Sequence, residues 1–276
     1  MKKIIIIGLG SVGSCLANLF INKEIEVDKI AILEKDNLIA KPVMLDLSSQ
    51  LSEVKYVNEI VDANNEDLSN YDVAFYCFSA NACLSRKDYI QESVKICKNV
   101  TQKLIDQHFA GNIIIVSNPI DVLTTYVSKN YKDKFKNIVS TGTMLDTMRL
   151  KSLLKENDKT IDLYGLHGNK AVVYNSDISI DESCLSEALN MGETISKDGY
   201  HSCFGVALCA VKLFNFLYSN NEIVAGMYNN EYDVSFSHLL SNDKGRIISK
   251  PIDKKNKNFN KLKESIDFLK EELNLL

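Results

Sequence analysis

The feature that most constrains the fold of this chain is a glycine-rich turn that directly follows a short apolar run. Residues 4–7 are four consecutive isoleucines, and residues 8–13 read G-L-G-S-V-G. A short, uninterrupted apolar run is typical of a strand that is buried on both faces of a parallel sheet. Because residues 11–22 have a helical pattern, this segment is predicted to form a strand, a tight turn and a helix. The immediate break at the glycines also argues against a secretory signal peptide.

Further apolar runs alternate with helical patterns in the first half of the chain. Strands are predicted at residues 29–33, 72–77, 112–116 and 138–140, and a long helix at residues 87–107. Such alternation favours a doubly wound parallel sheet of Rossmann type. The pattern then changes, with helices predicted at residues 145–156, 183–198, 202–218 and 260–273, and strands at residues 161–166, 171–174, 225–228 and 234–240. We therefore predict an α/β chain with one domain at residues 1–141 and a smaller α+β substrate domain at residues 142–276.

The spacing of the glycines, G-x-G-x-x-G, suits the pyrophosphate of a dinucleotide. The first glycine allows the tight turn, the second lets the backbone approach the phosphates, and the third lets helix and strand pack closely. Amide hydrogens and partial positive charge at the helix N-terminus also favour phosphate. The candidate cofactor-binding residues of this turn are Gly8, Gly10, Ser11, Val12 and Gly13. The pattern is also compatible with a glycine-rich turn in an α/β domain that binds no nucleotide.

Glu34 ends the second predicted strand, where an acidic residue that binds ribose is expected. A carboxylate there accepts hydrogen bonds from both ribose hydroxyls and repels a 2'-phosphate. Glu34 therefore favours NAD over NADP as the cofactor. The competing interpretation is an ordinary surface acid.

A second group of residues has the chemistry of an acid/base site. Asp146 and Arg149 are three residues apart in a predicted helix, and His167 follows between two glycines. Residues at this spacing share a helix face. A carboxylate can orient an imidazole, and a guanidinium can bind a substrate carboxylate through two parallel hydrogen bonds. This set suits chemistry on a small 2-oxo or 2-hydroxy acid, and beside a dinucleotide site it indicates hydride transfer.

Composition excludes several other classes of function. The net charge is -4 and the chain has no basic cluster, so no nucleic-acid partner is expected. No apolar stretch is long enough to span a bilayer, so no membrane association is expected. The seven cysteines are odd in number and include no C-x-x-C pair. This usage is typical of reduced, packing cysteines, and a cytoplasmic location is expected.

Four short segments, in this order, carry a family resemblance. They are the glycine turn with Glu34, residues 117–124 (S-N-P-I-D-V-L-T), residues 142–149 (G-T-M-L-D-T-M-R) and residues 165–169 (G-L-H-G-N). The chain resembles the L-lactate/malate dehydrogenase superfamily, and its character is most similar to L-lactate and L-2-hydroxyisocaproate dehydrogenases. The resemblance implies a Rossmann-type NAD-binding domain at residues 1–141, a catalytic substrate domain at residues 142–276, and a homodimer or homotetramer.

The resemblance also implies roles for individual residues. His167 corresponds to the catalytic acid/base, Asp146 to its orienting partner, which raises its pKa, and Arg149 to the anchor of the substrate carboxylate. Asn118 corresponds to a hydrogen-bond donor near the substrate and nicotinamide. Arg86 corresponds to an arginine that polarises the reacting carbonyl. Each has a simpler alternative: a turn histidine, a surface Asp–Arg pair, a turn asparagine and an arginine at a helix start.

The chain departs from the family pattern at several positions. Residues 78–85, before Arg86, contain no Gly, Pro or second arginine, which disfavours a dicarboxylic substrate. Leu166 and Asn169 flank the histidine where the family has acids. His201 stands where the family lines the pocket for the substrate side chain, although an exposed histidine at a helix start is equally compatible. Lys151 and Thr160 replace a basic pair, so activation by fructose 1,6-bisphosphate is not expected.

These observations predict an NAD-dependent oxidoreductase that interconverts a small monocarboxylic 2-oxo acid and its L-2-hydroxy acid, of the L-lactate or L-2-hydroxyisocaproate type. Two alternatives stay open. One is a malate dehydrogenase. The other is a relative that binds NAD(H) but is catalytically impaired.

Overall fold

A computed structural model describes residues 1–23, 25–80, 84–197 and 199–276. The first half of the chain forms, in order, β1 (Lys2–Ile7), α1 (Ser11–Asn22), β2 (Val27–Leu33), α2 (Asn37–Ser48), β3 (Glu59–Asp62), β4 (Val73–Tyr76), α3 (Arg86–Asp106), β5 (Asn112–Ile115), α4 (Ile120–Tyr131) and β6 (Asn137–Ser140). The second half forms α5 (Met144–Leu154), β7 (Ile161–Gly165), β8 (Ala171–Ser176), α6 (Glu182–Ser196), α7 (Phe204–Phe216), β9 (Glu222–Asn229), β10 (Val234–Asp243), β11 (Arg246–Ser249) and α8 (Phe259–Leu273).

The isoleucines of β1 are buried on both faces of the sheet, as their uninterrupted run predicts. Ile4 and Ile6 belong to a core cluster with side chains of α1 and α7, whereas Ile5 and Ile7 belong to a cluster with side chains of α3 and α4. All four are at most 2% exposed. Alternate side chains of a strand point to opposite faces, so helices must cover both sides of β1.

The strands form one sheet in the order β3-β2-β1-β4-β5-β6-β9-β10-β7-β8, with β11 paired to β10. The pairs from β3 to β6 are parallel, and the order reverses between β1 and β4. Beyond β6 the pairs are antiparallel. This is the predicted Rossmann-type doubly wound sheet followed by an α+β part, and the prediction is confirmed. In such sheets ligands bind in the crevice at the carboxyl ends of the strands beside the reversal.

The sheet continues from the first half of the chain into the second through the pairing of β6 with β9, where Val139 lies opposite Met227 and Ser140 opposite Gly226. The division at residue 142 therefore falls just after the strand that joins the two parts. The assignment of residues 1–141 and 142–276 to separate domains stays a prediction.

Four elements are not predicted by the sequence patterns above: α2, β3, α4 and β11. Helix α2 contains Pro42, and a proline inside a helix argues against the helical interpretation. Helix α4 buries polar residues such as Thr124 and Ser128, so apolar periodicity does not mark its inner face. Strands β3 and β11 have four residues each and one partner strand each.

Two further findings concern the whole described part of the chain. None of its helices is both long and apolar enough to cross a membrane. The six cysteines within it are free thiols: Cys15, Cys77, Cys97, Cys184, Cys203 and Cys209.

Candidate active site

The glycine turn joins β1 to α1 at the reversal of strand order. Gly8 has a φ of +93°, and a Cβ there would lie 2.8 Å from the backbone of Phe78. A Cβ on Gly13 would lie 1.9 Å from the carbonyl oxygen of Gly8. By contrast, a Cβ on Gly10 would meet no atom within 4 Å. The first and third glycines are thus required by the turn and by close packing, while the second leaves the backbone open toward the crevice.

The start of α1 is available to an anion. Gly10 is its N-cap residue and no side chain caps the helix, while Ser11 is exposed and Val12 half-buried. Unpaired amide hydrogens at a helix N-terminus attract phosphate.

Glu34 lies beside this turn at the end of β2. Its Oε2 accepts a hydrogen bond of 2.8 Å from the amide of Leu9, within the glycine turn. Its Oε1 accepts from the amides of Lys35 and Asp36 at 2.8 and 3.2 Å. The carboxylate is therefore held in place by the backbone at the edge of the crevice, where a ribose-binding acid is expected.

His167 and Asp146 are in direct contact in the second half of the chain. Nδ1 of His167 lies 2.7 Å from Oδ2 of Asp146, and the amide of Gly168 donates to the same oxygen at 3.2 Å. Asp146 is fully buried, whereas the His167 side chain is 25% exposed. Because Nδ1 is engaged, Nε2 is the ring nitrogen free to exchange a proton with a substrate.

The charges around His167 favour its protonated form. Burial by itself lowers the pKa of His167, but the charge and hydrogen bond of Asp146, with a further contribution from Asp121, raise it above the ordinary value of 6.5. The neighbouring Arg149 opposes this effect. The shift favours the protonated imidazole, which is the form that an acid catalyst needs.

Arg149 is a buried cation for which no anionic hydrogen-bond partner is found among the described residues. It lies on α5 and is 8% exposed. In the described part of the chain its one hydrogen bond is a long one, 3.4 Å from Nη2 to the hydroxyl oxygen of Ser202. Burial lowers the pKa of Arg149, and Asp146 partly offsets the effect. A buried guanidinium normally has its donors satisfied, so this arrangement is suited to an incoming carboxylate.

Gly192 of α6 packs against Arg149. A Cβ on Gly192 would lie 3.3 Å from Nη1 of Arg149 and 3.8 Å from Nη2. Sequence reasoning missed both Gly192 and Ser202. Neither stands out in the sequence, since contact with Arg149 depends on how α5, α6 and the segment before α7 pack together.

Asn118 lies between β5 and α4. Its side-chain oxygen accepts from the amide of Ile120 at 3.3 Å, and its carbonyl oxygen accepts from the hydroxyl of Tyr89 at 3.2 Å. Asn118 is exposed. The oxygen is thus occupied by the backbone, which leaves the amide nitrogen as the donor for a ligand.

Among the described residues, the side-chain hydrogen bonds of Arg86 go to Glu272 and not to His167. Arg86 is the first residue of α3, and its Nε and Nη2 donate to Oε1 of Glu272 on α8 at 2.8 and 2.5 Å. Its side chain is 58% exposed. Residues 81–83, which belong to the predicted segment before Arg86, lie outside the described residues. The role of Arg86 in polarising a carbonyl stays a prediction.

His201 is exposed and precedes Ser202, the hydroxyl partner of Arg149. This places it near the proposed substrate anchor in sequence. The prediction that the His201 ring lines the pocket for the substrate side chain stays a prediction.

Asp121 is a further residue of the site to which the sequence interpretation assigns no role. Its Oδ2 accepts a hydrogen bond of 2.9 Å from the backbone amide of His167. The signal for it was present, because Asp121 lies within the S-N-P-I-D segment at residues 117–124.

The two ends of this arrangement together define a class of protein. A glycine turn and an acidic residue at the reversal of a doubly wound sheet are features of dinucleotide sites. An imidazole oriented by a buried carboxylate, with a buried arginine in the same part of the fold, has the chemistry of an acid/base site for an anionic substrate. Residues 2–140 match the family model of the lactate/malate dehydrogenase NAD-binding domain. The chain belongs to the lactate/malate dehydrogenase family, which confirms the resemblance.

Individual relatives agree with this family. The chain is 28% identical over 201 residues to the L-lactate dehydrogenase of Borrelia turicatae, an alignment that spans 70% of this chain and 63% of that protein. It is 26% identical over 247 residues to L-lactate dehydrogenase 2 of Lactobacillus johnsonii, spanning 81% of this chain and 79% of the relative. The chain thus spans less than two thirds of the first of these relatives.

Solved structures show the same fold over the whole chain. A minor L-lactate dehydrogenase from Enterococcus mundtii has a TM-score of 0.89 at 18% identity, covering 100% of this chain and 98% of that one. A malate dehydrogenase from Archaeoglobus fulgidus, solved in complex with NADH, has a TM-score of 0.85 at 22% identity, covering 99% of both chains.

Proposed function

We propose that the protein is an NAD-dependent oxidoreductase that interconverts a small monocarboxylic 2-oxo acid and its L-2-hydroxy acid, of the L-lactate or L-2-hydroxyisocaproate type. The observation that carries this proposal is the contact of 2.7 Å between His167 and the buried Asp146. The buried Arg149 affects the pKa of His167 through its charge. This supports an acid catalyst and an anchor for a carboxylate in the same site.

The glycine turn fits NAD. The open space at Gly10 gives a pyrophosphate room to approach the backbone, and the uncapped start of α1 supplies amide donors for it. The fixed carboxylate of Glu34 supplies an acceptor for ribose hydroxyls. The bound cofactor supplies or accepts the hydride. The negative charge of Glu34 supports NAD rather than NADP, since it repels a 2'-phosphate.

The residues of the acid/base site would bind the substrate and transfer the proton. Arg149 would bind the substrate carboxylate through two parallel hydrogen bonds, which orients the 2-oxo group. Nε2 of His167 would donate a proton to the carbonyl oxygen during reduction and take it back during oxidation of the hydroxy acid. Asp146 stabilises the protonated ring and fixes its orientation. The free amide nitrogen of Asn118 would donate a hydrogen bond to the substrate.

A monocarboxylic substrate is supported by two observations. Residues 78–85 contain no second arginine for a second carboxylate. The curated relatives described above are L-lactate dehydrogenases. The competing possibility, an NAD(H)-binding relative with impaired catalysis, is favoured by one feature of the structure: the guanidinium of Arg86 is occupied by an ion pair with Glu272.

The test is NADH consumption by the purified protein with pyruvate, 2-oxobutyrate, 2-oxoisocaproate and oxaloacetate. We expect turnover with at least one of the three monocarboxylic acids and weaker turnover with oxaloacetate. Substitution His167→Gln should abolish turnover and leave NADH binding, measured by fluorescence, intact. NADH binding without turnover on any of these acids would rule out the enzyme and support the impaired relative. Preference for oxaloacetate would instead identify a malate dehydrogenase.

Self-association into a homodimer or homotetramer is part of the same proposal. Three apolar side chains of α2 are exposed: Leu38 by 87%, Leu45 by 64% and Ile39 by 47%. Phe204, at the start of α7, is 71% exposed. Exposed apolar side chains clustered on one helix are typical of a protein interface. Light scattering coupled to gel filtration would measure the mass, and a monomer at micromolar concentration would contradict the proposal.

A further inference from the structure

Asp121 is a buried carboxylate whose environment is not that of an ordinary helix-start acid. It lies in the first turn of α4 and is 6% exposed. One oxygen accepts the hydrogen bond from the His167 amide, and in the described part of the chain the other oxygen, Oδ1, has no hydrogen-bond partner. A buried carboxylate is costly unless it is paired, so its placement needs an explanation beyond the stability of α4.

Two carboxylates from different helices hold the same short turn. Asp146 of α5 receives the imidazole Nδ1 of His167 and the amide of Gly168, while Asp121 of α4 receives the amide of His167. The two carboxylates thus bind the amide and the ring nitrogen of His167 and the amide of Gly168. Gly168 has a φ of +87°, a conformation that suits glycine and is compatible with the sharp turn that brings these donors together.

We propose that Asp121 is a positioning residue for the proposed reaction, which holds the backbone of His167 so that its imidazole stays aligned between Asp146 and the substrate. This inference rests on the proposed function of His167 as the acid/base. Asp146 binds the ring of His167 and the amide of Gly168, but not the amide of His167 itself. The amide bond to Asp121 supplies a second fixed point, so that Nε2 keeps one direction.

The charged groups around Asp121 give this role a measurable signature. His167 faces it from the turn after β7, Asp146 from α5 and Glu272 from α8, and Glu272 is itself paired with Arg86. Burial raises the pKa of Asp121 to about 7, although the amide and charge of His167 oppose the effect. Asp121 and His167 therefore influence each other's titration.

The rival explanation is that Asp121 only stabilises the N-terminus of α4, as acidic residues in a first helical turn do. The two explanations differ in what they predict for substitutions. Asp121→Asn keeps an oxygen that accepts the His167 amide but removes the charge. Asp121→Leu has a similar shape and removes both. Ser128→Ala, seven residues along the same helix, removes a buried hydroxyl that has no hydrogen-bond partner and serves as the control.

The experiment compares these three variants with the wild-type protein in NADH binding, in steady-state reduction of the best 2-oxo acid, and in the NMR titration of the His167 ring, assigned with His167→Gln. We expect Asp121→Leu to lower kcat by about a hundredfold, the effect of a small misplacement of a catalytic group, with KM and NADH binding little changed. Asp121→Asn should recover most of the lost kcat. Both variants should lower the pKa of His167, because both remove the charge, and Ser128→Ala should change none of these quantities.

Two results would overturn the inference. One is an Asp121→Leu variant with the kcat of the wild type. The other is a loss of NADH binding that parallels the loss of kcat in Asp121→Leu, which would show that Asp121 supports the fold of α4. Failure of the proposed function is distinguishable, because it would appear as no turnover by the wild type. The NMR titration needs no turnover, and an unchanged His167 pKa in both variants would then contradict the inference.

Discussion

Nδ1 of His167 lies 2.7 Å from Oδ2 of Asp146, a carboxylate with no solvent exposure. The pair joins α5 to the turn between β7 and β8, and it leaves Nε2 as the exchangeable position of the ring. Because a buried carboxylate stabilises an imidazolium, this contact connects the proton chemistry of the site to the packing of the second half of the chain.

The first prediction concerns pH. The pKa of His167 is raised above 6.5, and reduction of a 2-oxo acid requires the protonated ring. The kcat/KM for reduction should therefore be full at low pH and fall as the pH rises through the raised pKa, whereas oxidation of the hydroxy acid should show the opposite trend. Asp146→Asn should move both transitions to lower pH and reduce kcat by between about a hundredfold and ten-thousandfold. Transitions at the same pH in Asp146→Asn and wild type would contradict this assignment.

The same pKa shift affects stability. A raised pKa in the folded state means that the His167–Asp146 pair contributes stability below the pKa of an unfolded histidine and loses it as the pH rises through the folded pKa. The difference in melting temperature between wild type and His167→Gln should therefore shrink as the pH rises from the ordinary histidine pKa of about 6.5 through the raised pKa of the folded protein. A difference that grows with pH over this range would show that the ring is neutral in the folded protein.

The second site residue to test is Arg149. Arg149→Lys keeps the charge but removes the planar pair of donors. Each hydrogen bond to a charged group contributes about 1.5–3 kcal/mol, so KM for the 2-oxo acid should rise by about tenfold to a hundredfold. NADH affinity should not change. Lys151→Gln, on the same helix and two residues further, is the matched control, and an equal effect of both substitutions on KM would exclude Arg149 as the anchor.

The pairing of Arg86 with Glu272 leads to a prediction about competition. If Arg86 acts on the substrate, its guanidinium must leave Glu272. Glu272→Gln removes the negative charge that holds Arg86 and should therefore make Arg86 more available to the substrate. Arg86 is 58% exposed and Glu272 12%; an ion pair near the surface contributes up to about 1 kcal/mol, so kcat/KM should rise by about fivefold. Arg86→Gln should lower kcat by about a hundredfold. Glu271→Gln, a neighbouring exposed acid on α8, is the control, and an Arg86→Gln variant with wild-type kcat would assign Arg86 a purely structural role.

Cofactor selectivity depends on Glu34. Glu34→Ala removes the charge that repels a 2'-phosphate and the acceptor for ribose hydroxyls. NADH should bind more weakly and the preference for NADH over NADPH should shrink, both measured by fluorescence titration. Lys35→Ala, the adjacent exposed residue, controls for local perturbation. A wild-type protein that binds NADPH as tightly as NADH would contradict the selectivity assigned to Glu34.

Much of the fold could be predicted because its signals are local. The isoleucine run and the glycine turn determine β1, the turn and α1, and the helix bounds predicted from the sequence, residues 11–22, agree with Ser11–Asn22. His167, Asp146 and Arg149 could be named because each belongs to a short motif. Helix α4 could not, since polar residues make up half of its buried positions. Some of the contacts that satisfy them come from distant strands, as in the bond from the Ser235 amide to Thr125.

The sequence by itself determined where the glycine turn lies and which residues are the candidates for the acid and the anchor, because these properties belong to residue types and to their spacing. Only the tertiary structure decided which side chains surround them. Asp121 meets the amide of His167 across 46 residues, Ser202 meets Arg149 across 53, and Glu272 meets Arg86 across 186. Such contacts follow from the packing of whole helices against the sheet. A local sequence pattern contains no information about which distant side chains this packing brings into contact.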